Sequence, residues 1–236
     1  MEPLKPNAGR AKTAIVLLWI VMALDLNDAI FGYMKYQLLQ TAAYGDYLNE
    51  EEVTTNDILE ALLGLVYMVA FIISIVMFIR WFRRAYYNLH LKTEYLKYSE
   101  GWAAGAWFVP VLSLFRPYEI MKELYVETDR ILVERAENYT SKNNNTIIGF
   151  WWALWIISSF IGNIIFRSSL DDQTINGMIN DTQINIVLSL INIPLGLLAI
   201  KLVKDYSQME TKLAELKEPS QQPGGLSGEE SVRPAL

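Results

Sequence analysis

Four ionisable residues lie inside or at the edge of long apolar runs: Asp25, Asp28, Glu60 and Arg167. A charge in the bilayer costs roughly 2.5–3.5 kcal/mol at the centre of a span by insertion scales, and less near the interface. Such groups must therefore face the protein interior and find partners. With Asn163 and Asn185 they form a candidate outer pocket for a cation or proton, or a structural ion pair with water. Three carboxylates outnumber one guanidinium, so Arg167 is expected within ion-pair reach of Asp25, Asp28 or Glu60. Arg80, Trp81, Arg83, Arg84 and Arg116 form a second candidate set, an interfacial anchor or a partner surface. Arg stems lie in apolar surroundings while their heads reach polar headgroups, and Trp suits the same depth.

Other chemistries lack material. There is no cysteine, hence no disulfide, Cys-ligated zinc or thiol nucleophile, and His90 is the one histidine. It reads as a packing or surface residue. No nucleotide loop or metalloprotease motif is visible, and no cofactor is expected. The net charge of −6 argues against a nucleic-acid partner.

The elements that carry these residues are helices in a membrane. Of the 236 residues, 52% are hydrophobic and only 19% charged, with a mean hydropathy of +0.18. Spanning takes roughly 20 mostly apolar residues. Four runs qualify: 13–30, 58–79, 147–166 and 183–200. A fifth, 102–115, is short and contains Pro110, which breaks helices; it reads as re-entrant or interfacial. Pro117 suits the first turn of a new helix, and 118–139 reads as a cytosolic amphipathic helix under the bundle. The expected organisation is a cytosolic N-terminus 1–12, a membrane domain 13–205, and a cytosolic helix end and disordered tail 206–236. The fold class is all-α, a four-helix membrane bundle.

Cation placement sets the expected orientation. With four spans and the short run on the inner side, 18 of the 20 Lys and Arg fall inside, leaving Lys35 and Arg167 outside. If 102–115 crossed, the split would be 11 to 9. Both termini are thus expected in the cytoplasm. The N-terminal run reads as a retained anchor, since Asp-Leu-Asn-Asp follows Leu24 in place of a small-residue cleavage site. The sequons at Asn138, Asn144 and Asn180 carry little weight.

Counting 100° per residue, each span has a small or polar face. These are Asp25, Asp28 and Gly32; Glu60, Gly64, Tyr67, Phe71 and Ser74; Gly149, Ala153, Asn163 and Arg167; and Asn185, Ser189, Asn192 and Gly196.

Several central motifs carry a resemblance: Arg80-Trp-Phe-Arg-Arg-Ala-Tyr-Tyr-Asn-Leu, Glu100-Gly-Trp-Ala, Trp107-Phe-Val-Pro-Val and Phe115-Arg-Pro-Tyr-Glu-Ile-Met-Lys-Glu-Leu-Tyr. Over roughly Leu59–Asp205 the chain resembles the bacterial membrane proteins catalogued as domain of unknown function 4328. The resemblance implies a polytopic membrane protein and brings no activity or catalytic residue. Three functions fit the residues. The first is a non-catalytic subunit or scaffold acting through 80–142, toward a membrane-complex partner or a second copy. The alternatives are a small channel or ion-coupled transporter, whose path would include Ser189 and Asn192, and a membrane-embedded enzyme acting on lipid.

Overall fold

The computed structural model describes residues 3–44, 50–136, 139–141, 145–171 and 174–216, with 50–57 and 169–171 as backbone only. The sequons at Asn138 and Asn144 and the tail from residue 217 onward lie outside the described residues. The elements are α1 (Ala8–Ala43), α2 (Glu50–His90), α3 (Trp102–Gly105), a 3₁₀ turn (Leu112–Leu114), α4 (Arg116–Arg135), α5 (Asn145–Asp171) and α6 (Ile175–Glu215). Among the described residues there is no strand. Four helices are long and apolar enough to cross a membrane: α1, α2 from Ile58, α5 as far as Ser168, and α6.

Length explains the architecture. At 1.5 Å per residue, the 41 residues of α2 and of α6 reach roughly 60 Å, about twice the hydrocarbon thickness. Both helices therefore project past the apolar layer at the end where α2 finishes and α6 finishes. Asn7 bonds to Glu210 there, so α1 begins at the same end. This basic end also carries Arg80, Arg83 and Arg84. At the opposite, hairpin end α1 finishes and α2 begins, and α5 finishes and α6 begins. Within the spans α1 lies between α2 and α6, and α6 lies between α1 and α5.

The α1–α6 seam is close because two glycines make it so. A Cβ on Gly196 would stand 2.6 Å from Met22 Cγ, and one on Gly32 would stand 3.0 Å from Ile186 Cγ1. Lipid tails are as apolar as leucine, so small residues that let backbones approach are what packing can use. α6 runs unbroken through Pro194. Thr174 caps its start, Oγ1 accepting from the Gly177 amide at 3.1 Å.

Every one of the largest fully buried side chains lies at the basic end: Trp81, Phe82, Tyr86 and Leu89 on α2, four residues of α4, Ile148 on α5, and Leu202, Tyr206 and Leu213 on α6. α4 closes this core from below, with Ile120, Met121, Leu124 and Leu132 on its buried face. The helix starts at Arg116 with Pro117 in its first turn and ends at Arg135, one turn short of the expected Tyr139.

Between α3 and α4 the chain does not cross. It turns at Pro110–Val111, where Val111 takes a φ of 67°. Trp107 is held against Phe78, Phe82, Trp152 and Trp155, with ring centres 5.6–6.5 Å apart. Trp152 Nε1 donates to the Leu114 carbonyl at 3.1 Å. The segment is thereby pinned where α2 and α5 leave their apolar stretches, and Phe108, Val111 and Leu114 point outward, exposed.

Candidate functional site

Two polar constellations stand out, one in the spans and one at the basic end. In the spans the centre is Asp25, only 2% exposed. Its Oδ1 accepts from the Tyr67 hydroxyl of α2 at 2.9 Å and from Asn192 Nδ2 of α6 at 3.1 Å. Asn192 Oδ1 in turn accepts from Ser158 Oγ of α5 at 2.6 Å. One hydrogen-bonded chain thus crosses all four spans. One helical turn away, Asp28 Oδ2 accepts from Ser189 Oγ at 2.7 Å. A buried carboxyl costs less when polar donors replace its lost water, and here neutral donors do so.

The expected faces of α1 and α6 meet in this way. Asp25, Asp28 and Gly32 oppose Asn192, Ser189 and Ile186. Other members of the sequence-derived pocket lie elsewhere. Glu60 pairs with Lys35 at 2.7 Å, on a half-exposed edge between α1 and α2. Asn163, Arg167 and Asn185 are exposed. Among the described residues no ion pair joins Arg167 to Asp25, Asp28 or Glu60, so the expected pairing is corrected. The cause is the rotation of α5. Its side toward α6 carries Ser158 and Gly162. At 100° per residue, Gly149, Ala153, Asn163 and Arg167 lie about 140–180° from Ser158. The aromatic packing of Trp151, Trp152 and Trp155 fixes that rotation. On α2, Tyr67 and Ser74 turn inward, whereas Gly64 and Phe71 are exposed.

The basic end separates its arginines by role. Trp81 lies between them in sequence but is fully buried, edge-on to Tyr206 at 6.1 Å. Arg80 and Arg83 are exposed and Arg84 is half-buried. Arg83 reaches Glu100 at 3.4 Å. Arg10 of α1 donates from Nη1 to the Arg80 carbonyl at 3.2 Å. Arg116 sits apart in an aromatic cage, its guanidinium 4.4 Å from the Tyr98 ring and 5.6 Å from Trp102, with Glu119 at 3.8 Å. Cation–π contact of this kind favours Arg over Lys. His90 packs edge-on to Tyr86 at 4.9 Å.

A buried set at this end was not visible in the sequence. Glu210 accepts from Asn88 Nδ2 at 2.6 Å and from Asn7 Nδ2 at 3.0 Å. Asn88 also donates to the Lys5 carbonyl at 2.9 Å and accepts from the Lys5 amide at 3.0 Å. Glu210 lies ten residues past Ile200, beyond the apolar run and the Lys201–Asp205 ion pair at 3.0 Å. Burial pushes its carboxyl above the ordinary glutamate range, against the lowering effect of the two amide donors and Arg84. The available signal was positional: Asn88 and Glu210 each interrupt an otherwise apolar helical face, beside Leu89 and Ala85 in one case and Tyr206 and Leu213 in the other. Ser158 was missed because it stands beside Ser159, and two adjacent serines 100° apart on a helix mark no single face.

No curated protein and no solved structure matches the chain. A family model described as "Domain of unknown function (DUF4328)" matches residues 45–208, from the α1–α2 connection to the projecting part of α6. That stretch includes Tyr67, Ser158, Asn192, the arginines of α2 and the aromatic cage of Arg116. The chain is a multi-pass membrane protein, and it belongs to this family.

Proposed function

We propose that the chain is a non-catalytic subunit or scaffold of a bacterial inner membrane, working through the segment 80–142 at its basic end, which faces the cytoplasm. One observation carries this reading: all the largest fully buried side chains converge at the basic end, so the densest packing lies there rather than along the middle of the apolar runs. A rigid platform is what a partner-binding surface needs. α4 is locked to that platform by Thr128 against Tyr206 at 3.3 Å and by Tyr86 donating to Glu123 at 2.6 Å. Its outward face leaves Val126 and Val133 exposed, two turns apart. The natural absence of cysteine makes the test direct. Single cysteines at Val126, Val133 and, as a lipid-facing control, Phe160 are crosslinked in native membranes. A defined adduct from Val126 or Val133 but not Phe160, either a second copy or a membrane-complex subunit, is the expected result. Adducts from all three positions alike, or from none, count against it. Topology is read by reporter fusions after Ser141 and Leu216; an external signal at either refutes the orientation.

The alternative, a small ion channel or ion-coupled transporter, draws its support from the carboxyls of Asp25 and Asp28 at span depth. It predicts cation or proton flux in liposomes that Asp25→Asn abolishes. Against it, the hydrogen-bonded chain runs from helix to helix across the bundle, and Asn163, Arg167 and Asn185 stand outside it.

A further inference from the structure

We propose that the arginines at the α1–α2 junction form a binding site for the phosphate of an anionic phospholipid in the leaflet at the basic end. Arg10, Arg80, Arg83 and Arg84 converge there from two helices, close enough that the charges of the last three act repulsively on Arg10. Like charges gathered this way cost energy unless an anion offsets them. Among the described residues the group makes one ion pair, Arg83 to Glu100; Glu210 acts on Arg84 from beyond ion-pair distance, and Arg10, Arg80 and Arg84 have no ion-pair partner. Arg10 is also held in position, since its bond to the Arg80 carbonyl fixes one nitrogen and leaves the remaining donors of the guanidinium open to an oxyanion. Lys5 extends the positive surface, 4.3 Å from the Tyr87 ring that Arg84 approaches from 5.5 Å.

What lies beneath the arginines selects a lipid over a free phosphate. Counting 100° per residue, Val76, Ile73 and Val69 lie within about 40° of Arg80 on the face of α2 that descends into the span. Each is nearly half exposed. A phosphate above and an apolar track below match an amphiphile, with acyl chains along α2 and the headgroup against Arg10, Arg80 and Arg84. Basic pockets between spans bind anionic headgroups on these terms.

The site is tested on the purified full chain, delipidated in a neutral detergent. Bound lipid is counted by native mass spectrometry, and thermal stability is followed on adding phosphatidylglycerol, phosphatidylcholine or inorganic phosphate. The wild type should retain phosphatidylglycerol over phosphatidylcholine by about fivefold or more, a preference that shrinks in high salt. Arg10→Gln with Arg84→Gln should bring the ratio to within about twofold of unity, while Lys97→Gln leaves it unchanged. Should the double variant not fold, Arg80→Gln with Arg83→Gln, both on exposed positions, is expected to lower the preference at least twofold. No preference in the wild type, or one that survives both arginine pairs, overturns the proposal. Stabilisation by inorganic phosphate equal to that by phosphatidylglycerol overturns the assignment to a lipid. The crosslinking that tests the subunit reading uses other residues, so either can fail alone.

Discussion

The basic end and the spans of this bundle are held by different physics. At the basic end Trp81, Phe82, Tyr86 and Tyr206 lose all contact with solvent among residues from α2, α4, α5 and α6. There the surroundings are aqueous or interfacial, and removing apolar surface from water drives packing. In the spans most large side chains are half exposed, as along α2 from Ile58 to Val76. Lipid already solvates them, so their burial would bring little. What fixes the spans is a few polar bonds and one close seam of small residues. A dense core and a sparse lattice therefore coexist on the same helices, and the boundary falls near Phe78.

The sharpest way to break this contrast is to remove matched bulk from both regions. Trp81→Ala should destabilise the protein by about 3–5 kcal/mol, as large-to-small changes in cores do. Phe160→Ala, on an exposed position of α5, should change stability by less than about 0.5 kcal/mol. Unfolding in mixed micelles measures both. Comparable losses would mean that the spans are packed like the basic end.

The next test concerns the polar lattice. Asp25→Ala strips the acceptor from Tyr67 and Asn192 together and should cost about 1–3 kcal/mol. Asp25→Asn keeps an acceptor oxygen and should cost less. Because Arg167 is not a partner of Asp25, Asp25→Asn and Arg167→Gln should add within about 0.5 kcal/mol in the same micelle assay. A rescue in the double variant would restore the ion pair that the sequence suggested.

Glycines sharpen the comparison within the spans. Gly196→Ala drives a methyl into Met22 and should cost about 1–3 kcal/mol. At Gly64 nothing lies within 4 Å of an added Cβ, so Gly64→Ala should be neutral or stabilising by up to about 1 kcal/mol. Thermal midpoints of the two variants should move in opposite directions or differ by several degrees.

The smallest expected effect is the pH dependence that Glu210 contributes at the basic end. The Glu210 carboxyl is raised in the fold, so the folded chain holds its proton more tightly than the unfolded chain does. Stability from this group is therefore greatest below the ordinary glutamate value. It declines as pH rises through the window up to the raised value, then stays level. Glu210→Gln should flatten that slope and leave the Asp25 region unaffected, as read by hydrogen exchange of α6 amides on either side of Lys201.

Much of the fold was legible because its signals are long and additive. The four spans, the break at Pro110, the helix begun by Pro117 and the small-residue faces of α1 and α6 all follow from composition and period. The α5 rotation was not legible. Polar residues were used to mark its inner face, but Asn163 and Arg167 near the hairpin end can reach headgroups without partners, while ring packing around Trp107 set the angle. The Glu60 partner was misjudged for a similar reason: Lys35 on a neighbouring helix is a nearer cation than any on α5. Asn7, Asn88 and Glu210 were illegible as a set because a polar residue on an apolar helical face does not say which residue, up to 203 positions away, it meets. The sequence grouped Arg80, Trp81, Arg83, Arg84 and Arg116 into one set; its division into a buried Trp81 on α2, a caged Arg116 on α4 and an open Arg80–Arg84 cluster needed coordinates.

The α1–α6 seam and the Asn7–Glu210 bond also impose a schedule. They join the beginning of the described chain to its end, and at 5–20 residues per second the 203 positions between them take roughly 10–40 s to synthesise. For the part of that interval after His90 is made, α1 and α2 wait in the bilayer as a hairpin. Asp25 then has Tyr67 as a partner but not yet Asn192, and Asp28 has no Ser189. The nascent protein thus spends its youth with an open acidic edge, available to whatever insertion machinery or neighbouring helix shields it, and closes that edge only when its last helix arrives.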